Sequence, residues 1–289
     1  MLNRLKAALL AFTCLATVGV ATAAPASAIT GGVEDLNNSY PNVGLLVFYD
    51  SEGRFRCSGT LVTPTVVLTA AHCTDGTVGK TIVTFTADVD REAPSDIPRA
   101  ADDSGTGTSK SGYTAAPAGY YSGTALTHPQ YSDFTDLKNW NDVGVIKLDE
   151  AVSGIKPATI APTNYLDQFA QPRLNSETFT LVGYGTEVRQ APTGPQNPTP
   201  QSFPIVRRYT DEVGQKLTPQ ILQTNGNEHD PRGGGGTCFG DSGGPSFKNG
   251  FVTTVTSYGY TSNCRYLGGL QRVDVPVVQN WLQSVGALG

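Results

Sequence analysis

The chain has 289 residues, with 20 Lys plus Arg against 25 Asp plus Glu and a formal net charge of −5. This mild acidity, with no basic block, excludes the electrostatic footprint of a nucleic-acid binder. Charged residues make up 16% of the chain and hydrophobic ones 38%, a balance that supports a sizeable core and excludes a highly charged disordered chain.

Arg4 and Lys6 precede an apolar, uncharged run over residues 7–20, and small residues follow up to Ala26-Ser27-Ala28. A charged start, a short apolar middle and an A-x-A exit predict a secretory signal peptide over residues 1–28. The run is too short for a membrane span, which needs about 20 apolar residues, and no later segment approaches that length. A secreted, extracellular product is therefore expected, with no membrane association. Cleavage after Ala28 would shift the net charge to −7 and remove Cys14. Cys57, Cys73, Cys238 and Cys264 would remain. In an oxidising compartment four cysteines favour two disulfides, in any of three connectivities. Zinc is disfavoured, although His72 adjoins Cys73, because no C-x-x-C pair is present.

The rest of the chain reads as short strands between turn clusters. Residues 43–49, 59–62, 66–69, 143–148, 179–182 and 251–256 are rich in β-branched and aromatic residues, and Gly, Pro, Asn, Asp or Ser commonly bound them. Such spacing predicts antiparallel sandwiches or barrels rather than βαβ units. Only the tail carries a helical period: Val277, Val278, Trp281, Leu282 and Val285 recur on one face, with Pro276 at the helix start. Residues 101–119, dominated by Gly, Ser, Thr and Ala, and the proline-rich residues 191–204 are expected to be long surface loops.

Three motifs carry chemistry. Gly240-Asp241-Ser242-Gly243-Gly244-Pro245 lets the backbone turn sharply and aim N–H groups at one spot. Thr69-Ala70-Ala71-His72-Cys73 supplies one of three histidines, so bases for neutral pH are few. Asn141-Asp142-Val143-Gly144 puts an acid at the mouth of an apolar strand. Alone, each has an ordinary reading: a turn serine, a histidine near a disulfide, a solvated cap. Together they stand in the chain order His, Asp, Ser.

On these residues the chain resembles the trypsin/chymotrypsin family of secreted serine endopeptidases. Ile29-Thr30-Gly31-Gly32 looks like that family's mature N-terminus, and Cys57-Ser58-Gly59-Thr60-Leu61 and His128-Pro129-Gln130-Tyr131 match further segments. Val182-Gly183-Tyr184-Gly185 and Ser257-Tyr258-Gly259 match others, with tyrosine where the family usually carries tryptophan. The resemblance implies an all-β fold of two packed antiparallel β-barrels with a C-terminal helix. Residues 29–160 would form the first barrel and residues 161–289 the second, together one peptidase domain.

It further implies a catalytic triad of His72, Asp142 and Ser242, with the amides of Gly240 and Ser242 as oxyanion hole. Disulfides Cys57–Cys73 and Cys238–Cys264 are implied, and so is an activation pair between the freed α-amine of Ile29 and Asp241. Gly236, Thr237, Ser257, Tyr258, Gly259 and Gly269 would surround the substrate pocket. Gly236 stands where trypsin-like members carry Asp, so apolar side chains are expected before the scissile bond. Peptide or protein substrates and protein inhibitors are the implied partners. No metal or organic cofactor and no oligomer is expected. Two rivals are a catalytically inactive protease-like binding protein and an esterase. The second would require βαβ organisation and the order Ser, Asp, His.

Overall fold

The computed structural model describes residues 29–189 and 199–288; the expected signal peptide and part of the proline-rich loop lie outside them. Six early strands, Val43–Tyr49 (β1), Arg54–Thr63 (β2), Val66–Thr69 (β3), Val78–Thr84 (β4), Tyr121–Thr127 (β5) and Gly144–Leu148 (β6), form the first unit. They hydrogen-bond in the antiparallel order β1–β2–β3–β6–β5–β4 and close back on β1 as a barrel.

All seven residues of β1 are buried, and their side chains divide by the two-residue period of a strand. Leu46 and Phe48 join a cluster with Leu61, Leu68 and Ile146, whereas Val43, Leu45, Val47 and Tyr49 pack with Ile82, Val182 and Tyr184. A strand buried on both faces explains why its sequence is a continuous apolar run rather than an alternation.

Six later strands, Thr178–Gly183 (β7), Arg208–Leu217 (β8), Ile221–Asn225 (β9), Pro245–Lys248 (β10), Phe251–Gly259 (β11) and Leu267–Arg272 (β12), form the second unit. Their order is β8–β7–β10–β11–β12–β9, and the β9–β8 pairing closes a second antiparallel ring. Leu166, Phe169, Leu174, Phe179, Leu181, Leu222 and Leu270 pack together as its core. The architecture is the expected one: two six-stranded antiparallel barrels and one helix at the C-terminus.

Each unit holds an end of the other's chain. Val33–Glu34 pairs with β8, and Thr30 bridges Gly236, so the segment preceding the first barrel is fastened to the second. Conversely, the helix Pro276–Ser284 (α1) has Pro at its first turn and buries Val278 and Leu282 in a cluster with Val143 and Val145 of the first barrel. The Trp281 ring lies 5.0 Å from His128. Among the described residues no helix is long and apolar enough to cross a membrane.

Residues 101–119 contain no strand, but their turns are closed by side chains. Asp103 accepts hydrogen bonds from the Tyr49 hydroxyl and the amides of Gly105 and Gly107. Inside the second expected loop, residues 191–204, Thr199–Gln201 is instead a short strand that pairs antiparallel with Glu187–Arg189, which gives its backbone hydrogen-bond partners. Leu282 is fully buried, and Leu282→Ala should therefore lower the unfolding free energy by about 2–5 kcal/mol. Denaturant titration with an unchanged slope checks this; a loss below about 0.5 kcal/mol would show that α1 is not part of the first core.

Candidate active site

His72 occupies the middle of a single 3-10 turn, Ala71–Cys73, that follows β3. The Cys57–Cys73 disulfide ties this turn to β2. Because those two sulfurs are bonded to each other, the Cys57, His72, Cys73 group offers no thiolate to a metal.

Asp142 is fully buried at the entrance of β6, after Asn141 in a left-handed conformation (φ +45°). Its carboxylate accepts two hydrogen bonds from His72: the main-chain amide donates to Oδ1 and ring Nδ1 donates to Oδ2, both at 2.9 Å. A carboxylate facing Nδ1 holds the proton there and leaves Nε2 as the basic nitrogen. Ser257 Oγ donates to the same Oδ2 at 2.6 Å, and the indole of Trp140 donates to Ser257 Oγ at 2.9 Å. Since Ser257 accepts from the indole, its own proton is committed to Asp142.

Ser242 is brought to the end of β3 by close backbone approach. Gly243 has φ +76°, and a Cβ there would sit 1.9 Å from Thr69 Oγ1, so no other residue fits. Ser58 fastens the same loop. Its amide donates to Ser242 O, its hydroxyl to Gly240 O, and its carbonyl accepts from Thr69 Oγ1, each at 2.8 Å. Ser242 is thereby held beside the segment leading into His72; among the described residues its hydroxyl forms no direct hydrogen bond with the imidazole. Contacts of this kind are commonly long before substrate binds.

The amides of Asp241, Gly243 and Gly244 donate to Cys238, Thr256 and Asp241 carbonyls respectively. Those of Gly240 and Ser242 donate to no acceptor among the described residues. An oxyanion requires unspent donors of this kind.

Asp241 is buried at 1% exposure. Desolvation raises its carboxyl from the ordinary 3.8 to about 6, against hydrogen bonds from the Cys238 amide (2.8 Å) and Gly185 amide (2.7 Å). A Cβ on Gly185 would lie 2.1 Å from Asp241 Oδ2, so the Gly183-Tyr184-Gly185 segment is shaped around this acid. Ile29 is fully buried, and Thr30 exchanges two hydrogen bonds with Gly236, at 3.0 and 2.9 Å.

A family model described as Trypsin matches residues 29–282. The chain is 31% identical over 269 residues to brachyurin of Leptuca pugilator, covering 89% of this chain and 97% of that protein. The chain belongs to the trypsin family of serine endopeptidases. It is also 31% identical over 243 residues to a trypsin-like protease of Streptomyces glaucescens, covering 83% of this chain and 73% of that one. Among solved structures, HL collagenase superposes with a TM-score of 0.61 at 18% identity, covering 89% and 98% of the two chains. Human heparin binding protein does so at 0.57 and 16%, covering 90% and 97%. These two likenesses concern the fold.

Beside Ser242 the protease has a cavity of about 360 Å³, lined among others by Thr237, Phe239, Ser257, Tyr258 and Gly259, with no charged side chain. Gly236 and Gly269 lie outside that lining. A Cβ on Gly236 would meet Cys264 O at 2.4 Å and one on Gly269 the Tyr258 ring at 2.2 Å. Gly268 instead looks toward Thr237 Oγ1 and Glu212 Oε2, 3.7 and 3.9 Å from a built Cβ. The Cys238–Cys264 disulfide ties two segments of the wall together.

Sequence reading passed over three residues of this site. Phe239, 60% exposed, is flagged only by standing between Cys238 and Gly240. Trp140 immediately precedes Asn141-Asp142 and belongs to an aromatic file running His72, Phe134, Trp140, Tyr258, Tyr260, with ring centres 5.2–5.6 Å apart. Glu212 lies in the middle of a strand and carries no local signal at all.

The Glu212 carboxyl accepts from Thr224 Oγ1 at 2.5 Å and from the Thr237 amide at 3.3 Å, and burial raises it from 4.5 to about 7. The folded chain thus keeps a proton that the unfolded chain releases between pH 4.5 and about 7. Stability from this group must fall as pH rises through that window, by an amount on the order of 3 kcal/mol. Glu212→Gln should shrink the difference in unfolding free energy between pH 5 and pH 8 accordingly; an unchanged difference refutes the assignment.

Proposed function

We propose that the protein is a secreted serine endopeptidase whose Ser242, His72 and Asp142 act as nucleophile, general base and orienting acid. The observation that carries this reading is the buried Asp142 carboxylate fixing the histidine through Nδ1 at 2.9 Å, beside a serine loop with two unspent amides. A serine hydroxyl becomes nucleophilic when a positioned base removes its proton. Nε2 of His72 takes the Ser242 proton as Oγ attacks the scissile carbonyl. The carbonyl oxygen then gains charge between the amides of Gly240 and Ser242. Collapse expels the amine, which receives the proton from His72, and leaves an acyl group on Ser242. Water repeats the sequence in reverse and frees the carboxylic acid.

Asp142 keeps the useful tautomer and stabilises the imidazolium, with donors from His72 and Ser257 arranged around its carboxylate. The uncharged cavity beside Ser242 supports a preference for apolar residues before the cut. Peptide panels varying that residue alone measure it.

Removal of residues 1–28 would convert the Ile29 nitrogen to an α-amine, and Asp241 is its partner in this reading. A carboxyl held near pKa 6 by burial gains most from a cation brought to it. Secretion is supported by the leader pattern and by two disulfides, bonds that persist outside the reducing cytosol.

Ser242→Ala should reduce kcat by roughly 10⁵–10⁶-fold with the fold intact, and an active-site serine reagent should label the parent protein stoichiometrically. Failure to label would return the inactive binding protein as the better reading. Processed protein should begin at Ile29, and Asp241→Asn should lower its kcat/KM by about 100-fold. Full activity in that variant would remove Asp241 from activation.

A further inference from the structure

A second cavity, of about 390 Å³, lies on the other side of Phe239 and reaches Gly240. Phe239 lines both cavities and separates them. A substrate with its residue before the cut in the first cavity, and its carbonyl oxygen at the Gly240 amide, would direct its leaving side into the second.

The charge of this second cavity is unlike that of the chain as a whole. Arg54 and Arg56 line it, two residues apart and so on one face of β2, and no Asp or Glu contributes to its lining. Apolar surface from Val47, Ile97, Phe203 and Phe239 surrounds them. The Arg56 guanidinium lies against the serine loop: a Cβ on Gly240 would be 3.5 Å from its Nε.

Of the five N–H donors of Arg56, one is spent, Nη2 on Ser202 O at 2.8 Å. Arg54 gives Nη1 to Ile97 O and Pro98 O at the long distances of 3.3 and 3.4 Å. Among the described residues neither arginine has a carboxylate within ion-pairing distance; the acid felt by Arg56 is Asp241, whose two oxygens are occupied by the Cys238 and Gly185 amides. A half-buried guanidinium with open donors, apolar walls and no counter-ion is a receptor for a carboxylate, which it binds in a planar fork.

We propose that this cavity receives an acidic side chain from the first two residues after the scissile bond, with Arg56 as its main partner and Arg54 as an auxiliary charge. The proposal rests on the endopeptidase reading and adds to it a substrate class: chains carrying Asp or Glu just beyond the cut.

The test uses the processed full protein and peptides identical except for Glu or Gln at the first or second position after the cut. The Glu peptide should have about tenfold higher kcat/KM at low ionic strength, and the ratio should fall in 0.5 M salt, roughly as screening of a partly exposed charge pair requires. In Arg56→Gln the Glu-to-Gln ratio should collapse to near one, while Arg56→Lys should keep part of it. Both peptides are read on the same variant, so any general loss of folding or catalysis cancels in the ratio. Equal rates in the parent protein, or a ratio that survives in the Arg54→Gln, Arg56→Gln double variant, overturn the proposal. If neither peptide is cleaved, the endopeptidase reading fails, and the same peptides are then titrated onto the Ser242→Ala protein by fluorescence anisotropy. Tighter binding of the Glu peptide that disappears with Arg56→Gln still supports the site, and equal binding refutes it.

Discussion

The Asp142 carboxylate is the point on which both barrels converge. It takes two hydrogen bonds from His72, at the end of β3 in the first barrel, and one from Ser257 in β11 of the second. The Asp142 amide in turn donates to Gln271 Oε1 in β12 at 3.1 Å. A fully buried carboxylate is tolerable only when donors surround it, and these donors come from strands far apart in sequence. Satisfying one acid therefore fixes the relative placement of β3, β6, β11 and β12, and the imidazole is oriented as a consequence.

A second set of buried charges fastens the N-terminal segment. Arg207 and Asp35 are both fully inaccessible and pair at 2.8 Å, and the same guanidinium donates to Val43 O and to Tyr184 Oη. Arg208 is also buried and bridges Glu34 and Glu187. Such pairs offset their own desolvation rather than adding much stability. Their effect here is geometric: residues 30–40 are tied to β8 and to the Gly183–Gly185 segment that seats Asp241. The N-terminal segment and the serine loop are thus mechanically connected through the second barrel.

Around the cleft, the charges divide by side. The cavity next to Ser242 is uncharged, the cavity beyond Phe239 is cationic, and the overall chain is acidic. The two cavities share the exposed Phe239 ring as a wall. The aromatic file through Trp140 and Tyr258 extends the apolar side of the cleft away from the histidine.

Local information was enough for much of this protein. Apolar runs bounded by turn residues marked β1, β3, β6 and β11, and a 3.6-residue period marked α1, because strand and helix patterns are short-range consequences of which face is buried. The His72, Asp142 and Ser242 segments were legible because each sits in a motif whose small residues are dictated by tight backbone turns. Glu212 and Arg56 were not legible: nothing in residues 208–217 or 54–63 distinguishes a strand acid or arginine facing solvent from one facing a cavity. The pocket glycines show the same limit. Gly268 and Gly269 are neighbours in sequence, yet alternation along β12 turns one toward Thr237 and the other toward the Tyr258 ring. Sequence by itself determined the family, half of the barrel strands and the terminal helix, and it marked the three segments proposed to react, since these are written in contiguous motifs. Register, burial and the electrostatics of the two cavities arose only when distant strands met, because desolvation and charge pairing depend on what lies across the gap.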